Sequence, residues 1–427
     1  MTVADEFELK IDRLGARGDG IGEHRGQQIY VPFTSAGDLV RVRLGQKRGD
    51  GRSAAVVDVV SAGPDRVSPP CPHFGQCGGC TMQHLSPSAE QVWKRDLVID
   101  ALKQRGFDDI SVAETIAVPS RSRRRTTFTV VRAGGRVLFG YLERGSHQVV
   151  PIEVCAVLDP TLDALIKPLT VLANTLSIPK KGLNISLTAT SSGVDLVIGG
   201  HRELDLDLRQ RLTDFVLQHD IARLSWGVKY PELVIAQRAP VVEFGGVTVE
   251  PAPGGFLQAS PAAEQALSGQ VLDHLGGCKR IIDLFSGAGT FALALGAGGA
   301  AMTAFDGDEA AIAALAAAAN RSAGRINIDA TMRDLERRPI GLHELKSIDG
   351  VVLDPPRAGA KAQCDVLATS DVGKIAYVSC NPATFARDAR TLVEGGYTLV
   401  SVSPINQFPW SSHVEMIGRF ERESTFK

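Results

Sequence analysis

Apolar and polar positions change rhythm three times along the chain. From residue 1 to about 60, short apolar runs alternate with turn residues in FELKIDRL, GDGIGEHRGQQIYVPF, DLVRVRL and AAVVDVV. A period of two, broken by Gly and Asp clusters, predicts a small antiparallel β-barrel. SAGPDRVSPP then reads as a proline-rich hinge. SAEQVWKRDLVIDALKQRG spaces its apolar residues as a helix does, with Gly106 as the stop. Strand patterns return from about 125 to 240, in RTTFTVVRAGGRVLFGYLERG, LNISLTATSSGVDLVIGG and LSWGVKYPELVIA. Beyond VEPAPGGFLQASPAAEQAL, apolar strands (KRIIDLF, AAMTAFD, IDGVVLD, KIAYVSC) alternate with helical segments, the rhythm of a doubly wound parallel sheet.

Composition narrows the class. A chain of 427 residues holds roughly two to four domains. Its 44% hydrophobic and 22% charged residues are those of a soluble globular protein with large cores. Glycines and charges interrupt every long apolar stretch, so no membrane span is expected. The acidic start MTVADEFELK lacks a signal-peptide core, which predicts a cytoplasmic protein.

Charge changes the picture locally. A net charge of −2 argues against wholesale coating of nucleic acid, yet basic residues cluster twice. Arg41, Arg43, Lys47, Arg48 and Arg52 form one run; Arg121, Arg123, Arg124 and Arg125 form the other. Such runs can bind phosphates by releasing counterions. A solvated surface is the bland alternative, but two runs beside the other signals favour RNA or DNA.

Seven cysteines, an odd number without a secretion signal, disfavour a disulfide framework. CPHFGQCGGCTMQHL sets Cys71, Cys77 and Cys80 in a C-x5-C-x2-C array on a Gly-rich loop, with Cys155 a candidate fourth ligand. Three thiolates so close suit an iron–sulfur cluster or zinc. His73 and His84 keep mixed-ligand zinc open, and spacing alone does not choose.

IIDLFSGAGTFAL runs a strand into a Gly-rich turn and a helix. Gly287 and Gly289 let the backbone bend and approach a ligand. The next strand ends in Asp306, where an acid can hold a ribose. Without G-x-G-x-x-G, a nicotinamide cofactor is disfavoured. VVLDPPRAG puts Asp354 and Arg357 on a rigid loop at the carboxyl edge of the sheet, where ligands bind.

YVSCNPATFARD places Cys380 at the end of the next strand. Asn381 is a good helix cap and Pro382 suits the first helical position. The positive end of that helix favours a thiolate, so Cys380 is a candidate nucleophile; a buried structural cysteine is the alternative. Glu415, in the apolar HVEMIGRF, is a candidate general base, since a carboxylate there must be paired or working. His413 receives no role.

Taken together, CPHFGQCGGCTMQHL, DPPRAG, VSCNPATFARD and HVE resemble the S-adenosylmethionine-dependent RNA 5-methyluridine methyltransferases. They are most similar to the branch with a TRAM barrel and a [4Fe-4S] cluster that modifies 23S rRNA. The resemblance covers nearly the whole chain. It implies a TRAM-like RNA-binding β-barrel over residues 1–62 and a central α+β iron–sulfur domain over 63–245. The helix near 87–106 would pack on the last domain, a Rossmann-like methyltransferase unit over 246–427. It implies that Cys71, Cys77, Cys80 and Cys155 hold the cluster, that Cys380 is the nucleophile and that Glu415 is the base. Gln258, Phe285, Thr290, Asp306, Asp334 and Asp354 match positions around the cofactor, beside Gly287 and Gly289. Arg41, Arg43, Arg123, Arg124 and Arg125 are the expected RNA contacts.

Several positions depart from the family. Ser286 and Thr290 stand where Cys and Asn are usual, Asp306 for Glu, Asp334 for Asn, and Ser411 for Thr. The chemistry implied is addition of Cys380 to uracil C6, methylation at C5, and removal of the C5 proton by Glu415 before the thiolate leaves. The uridine must leave its stack to be reached. The cluster is expected away from the sheet's ligand edge, serving structure or RNA positioning, and the protein is expected to be a monomer. Rival readings are the same chemistry on tRNA, a non-catalytic RNA-binding protein, and a zinc-stabilised oxidoreductase.

Overall fold

The structure, a computed structural model, describes residues 6–201, 203–322 and 324–422. Its first unit is a six-stranded sheet. Strands β1 (Glu6–Lys10), β2 (Arg13–Leu14), β3 (Gly20–His24), β4 (Gln27–Val31), β5 (Leu39–Arg48) and β6 (Gly51–Ser61) form one sheet in the order β1-β5-β6-β4-β3-β2. The two outer strands are halves of one bent segment: β1 pairs with β5, whereas the Asp12 amide and β2 bond to β3. That bend brings the two ends of the sheet together; β4 and β6 run parallel, a departure from the all-antiparallel pattern expected. Leu9, Ile11, Ile29, Val31, Val40 and Val42 fill it.

Helix α1 (Pro87–Lys103) follows the hinge, capped by Ser86 with Pro87 in its first turn. Its Val98 and Leu102 enter the apolar cluster formed by residues 282–420. Strand β7 (Ile116–Ala117) pairs with Ile405 and Asn406.

The central sheet comprises β8 (Arg125–Ala133), β9 (Arg136–Leu142), β10 (Val149–Pro151), β11 (Leu183–Thr190), β12 (Gly193–Ile198), β13 (Ile221–Trp226) and β14 (Glu232–Ala236), in the order β10-β9-β8-β11-β12-β13-β14. Helices α2 (Pro160–Asp163), α3 (Ile166–Thr175) and α4 (Leu206–Gln218) cover one face. A hairpin of β15 (Val242–Phe244) and β16 (Val247–Val249) leads out of it.

Helix α5 (Pro261–Leu275) opens the doubly wound domain, followed by β17 (Arg280–Leu284), α6 (Thr290–Ala297), β18 (Ala301–Asp306), α7 (Glu309–Arg321), β19 (Ile328–Met332), β20 (Gly350–Leu353), α8 (Lys361–Leu367), β21 (Lys374–Ser379), α9 (Pro382–Glu394), β22 (Thr398–Asn406) and β23 (Glu415–Glu421). The sheet order is β19-β18-β17-β20-β21-β23-β22-β7, with β17 to β21 parallel and β23 reversed. Separate apolar clusters on its two faces explain why the strands read as continuous apolar runs. The chain reverses direction of winding between β17 and β20, which opens a crevice at their carboxyl ends. No helix among the described residues is long and apolar enough to cross a membrane.

Candidate active site

The turn after β17 carries three left-handed residues: Phe285 at φ +67°, Gly287 at +54° and Gly289 at +97°. A side chain at Gly289 would meet Leu315 Cδ1 at 2.5 Å, so glycine is required for α6 to begin at Thr290. The Phe285 and Ser286 amides donate to the Phe305 carbonyl at 2.9 and 3.1 Å, stitching the turn to the end of β18. Asp306 closes the same turn from below: its Oδ2 accepts the Gly287 amide at 2.8 Å and its Oδ1 that of Asp308. Asp334 lies past β19, half-exposed, and its Oδ1 accepts from the Glu336 and Arg337 amides.

Deeper in the crevice, acids crowd. The Gln258 amide donates to Asp354 Oδ2 at 3.2 Å. Gln407 Nε2 donates to Gln258 Oε1 at 2.9 Å and to Glu415 Oε2 at 3.1 Å. These bonds link Asp354 to Glu415 through two buried amides. Burial and the nearby Asp306 charge push the Asp354 carboxyl up to about 7. Burial and Asp354 raise Glu415, which is 4% exposed, well above its ordinary value. Asp283, inside β17, is fully buried and raised by burial and by Asp354. Neither of its oxygens has a hydrogen-bond partner among the described residues; the Ala292 amide eases it without completing a bond. Burial and mutual repulsion make these acids hold their protons, and a positive charge among them would favour their ionised forms.

Cys380 stands at the mouth of β21, one residue past its end, and Asn381 caps α9 as its sequence predicts. The Asn381 side chain and Thr384 hydroxyl both bond the Arg357 carbonyl, so the capping residues also hold the Asp-Pro-Pro loop. Asp388 Oδ2, bonded by Tyr377 at 2.7 Å and by the Ala360 amide at 2.8 Å, anchors that loop's far end. The expectation of a thiolate is corrected. Burial and Glu415 push the Cys380 thiol up to about 11, and Arg357 only partly offsets them. A helix start is a partial charge, and here it is outweighed.

The four cysteines line one cavity of about 400 Å³ with His73, Arg123 and Arg125. Burial raises Cys77, Cys80 (to about 12) and Cys155, and the thiols raise one another. Among the described residues no three His, Cys, Asp or Glu side chains stand as ligands of a single metal ion. His84 is turned away, buried against the Thr34 carbonyl and held near 4 by burial. The cysteine loop is tied to the segment between β22 and β23: the Thr81 and Met82 amides, just after Cys80, donate to the Trp410 carbonyl at 2.8 and 3.0 Å.

The second basic run turns inward. Arg124 is 5% exposed and closes an ion pair with Glu264, with its Nε on the Gln258 carbonyl. It therefore has nothing to offer a phosphate, contrary to expectation. Arg125 bonds the Leu257 carbonyl and stacks over Phe256, and burial beside Arg123 and Arg124 lowers it to about 10. Arg123 bonds the Arg125 carbonyl and lies over Phe408. In the barrel, Arg43 and Arg41 are exposed and pair with Glu6 and Glu8. Asp283 and Gln407 were missed by sequence reasoning; the first shows only as an acid inside IIDLF, and the second gives no local signal.

A parallel sheet with a Gly-rich turn at its switch point, an acidic crevice and a cysteine at the strand mouth defines a methyltransferase-like α/β enzyme. The tRNA (uracil-5-)-methyltransferase family model matches residues 248–422. An uncharacterized RNA methyltransferase of Rhizobium meliloti is 40% identical over 420 residues, 97% of this chain and 99% of that protein. The 23S rRNA (uracil(1939)-C(5))-methyltransferase RlmD of Chromohalobacter salexigens is 33% identical over 97% of this chain and 89% of its own. The crystal structure of the Pyrococcus abyssi tRNA (uracil-54, C5)-methyltransferase with S-adenosyl-L-homocysteine has the same fold, with a TM-score of 0.77 at 24% identity, covering 97% of this chain and 99% of that one. The chain belongs to the RNA uracil-5 methyltransferase family and is an S-adenosylmethionine-dependent RNA methyltransferase.

Proposed function

We propose that this enzyme methylates C5 of a uridine in 23S rRNA through a covalent adduct between Cys380 and uracil C6. The observation that carries the reading is Cys380 at the strand mouth with Glu415, Asp354 and Arg357 as its charged neighbours. Ribosomal RNA is favoured by the relative of that specificity at 33% identity along nearly the whole chain; the same chemistry on tRNA is the second reading, favoured by the family model.

S-adenosylmethionine, when bound, supplies an electrophilic methyl group and carries a sulfonium and an ammonium. The crowded, buried acids Asp283, Asp354 and Glu415 fit those two positive groups. Asp306 and the Phe285–Gly289 turn, with Thr290, would take its nucleoside end, and Gln258 would order Asp354. Cys380 must lose its proton to solvent, through the open cavity it lines, to attack C6, and a positive ligand among the acids relieves the repulsion that holds that proton. Addition at C6 makes C5 a nucleophilic enolate carbon. After C5 is methylated, Glu415 takes the C5 proton and the Cys380 thiolate leaves.

The four cysteines suit a [4Fe-4S] cluster better than zinc. A cubane takes one thiolate at each of its four corners, and the four cysteines line a single cavity of about 400 Å³ that would enclose it. Cys71, Cys77, Cys80 and Cys155 would hold it. The barrel and its exposed Arg41 and Arg43 are the proposed RNA-gripping surface. Nucleoside mass spectrometry of separated rRNA and tRNA from a deletion strain tests the substrate: 5-methyluridine should fall in 23S rRNA, and loss from tRNA alone would overturn that choice.

A further inference from the structure

Lys94 of α1 is 0% exposed. Its ammonium donates to Glu90 Oε1 at 2.9 Å, to the Phe408 carbonyl at 2.8 Å and to the Asn406 side-chain oxygen. Glu90 Oε1 in turn accepts the Trp410 amide at 2.6 Å. A buried ion pair is seldom worth more than apolar residues of the same volume, because desolvation offsets the attraction. What this pair gains is direction. Its bonds fall on alternate residues of one irregular segment, the link between β22 and β23.

That link is strained where it is held hardest. Trp410 sits at φ +61°, a backbone that residues with side chains rarely adopt. Its amide is fixed by Glu90 and its carbonyl by Thr81 and Met82. Between the anchored Asn406 and Phe408 lies Gln407, whose amide reaches both Glu415 and Gln258. Glu415 is the first residue of β23 and pairs with Ile405, next to Asn406.

We propose that Lys94 is a positioning residue for Glu415, acting through the segment Asn406–Trp410 and the Gln407 amide. This rests on Glu415 being the base of the proposed reaction. Lys94 touches none of the reacting atoms. It sets the segment so that Gln407 holds the carboxylate where the C5 proton must go, and a displacement of about 1 Å at such a position can lower a rate by about a hundredfold.

The test is the paired variant Glu90→Gln/Lys94→Met in the full-length enzyme, which removes both charges and keeps an acceptor for the Trp410 amide. The expected result is a kcat lowered by about tenfold or more, with KM for RNA and cofactor affinity within about twofold of wild type. Denaturing gels should also reveal a protein–RNA adduct carrying the cofactor's labelled methyl group. Gln407→Met, which cuts the last link without touching the ion pair, should give the same kcat loss and adduct and decides the matter should the paired variant not fold. An unchanged kcat, or a kcat loss that comes with lost cofactor affinity and no adduct, overturns the proposal. Glu415→Gln is run beside them. If it turns over at the wild-type rate, the base assignment fails; if it stalls as an adduct while the Lys94 and Gln407 variants do not, only the positioning role fails.

Discussion

Arg124 and Glu264 close a buried ion pair across 140 residues of chain, joining the start of the central sheet to the first turn of α5. Burial raises the Glu264 carboxyl, and Arg124 offsets that rise only in part. The pair welds two domains at the Gln258 loop, so a residue that reads as an RNA contact is a structural joint.

Arg124→Ala should therefore lower stability by about 3–5 kcal/mol, the usual result of stranding one partner of a buried pair. Urea denaturation measures it. The slope of log RNA affinity against log salt should stay as in wild type; a slope shallower by about one unit would mean that Arg124 reaches a phosphate after all.

Acid should stabilise the ligand-free crevice. Asp354 binds its proton more tightly folded, at about 7, than unfolded, where its ordinary value is 3.8. Its contribution is full below pH 3.8 and is lost as pH rises through about 7. The loss is on the order of a few kcal/mol. Thermal midpoints of wild type and Asp354→Asn between pH 5 and 8 check this: the variant should lose less on going alkaline, and parallel curves would contradict it.

Cys380 should be a sluggish thiol in the free enzyme. Peptide-resolved alkylation should accelerate only at high pH, towards the value of about 11 set by burial and Glu415. Glu415→Gln should shift that profile to lower pH, because it deletes the charge that opposes the thiolate. A profile centred near neutrality in wild type would restore the idea that the helix start alone activates the cysteine.

Anaerobically purified protein should be brown and contain about four irons per chain. Replacing Cys155 by Ser should bleach it. Stoichiometric zinc without iron would remove the cluster assignment.

The architecture was open to reading wherever one face, or both, of an element decides its residues. Alternation in FELKIDRL and DLVRVRL marks a barrel wall, and the unbroken runs IIDLF and GVVLD mark strands covered on two sides. Cys380, Glu415 and the clustered Cys71, Cys77 and Cys80 stood out because their chemistry is improbable where they sit. Lys94 did not, since a lysine in a helix of mixed polarity looks solvated until a distant segment supplies its acceptors. Arg124 failed in the same way: Glu264, its partner, is remote in sequence. The thiolate expectation for Cys380 weighed a local helix end and could not weigh burial or Glu415, which only the folded chain brings near.

The parallel pairing of Ile116–Ala117 with Ile405 and Asn406 carries a practical consequence. The outermost strand of the catalytic sheet is made before the central domain is, and α1 covers part of the same core. A fragment starting at residue 246 would thus expose the β22 edge, with its main-chain donors and acceptors unpaired beside uncovered apolar surface. Such an edge seeks another strand. The isolated catalytic half of this chain would self-associate, because the piece that seals it lies more than a hundred residues upstream of the cut.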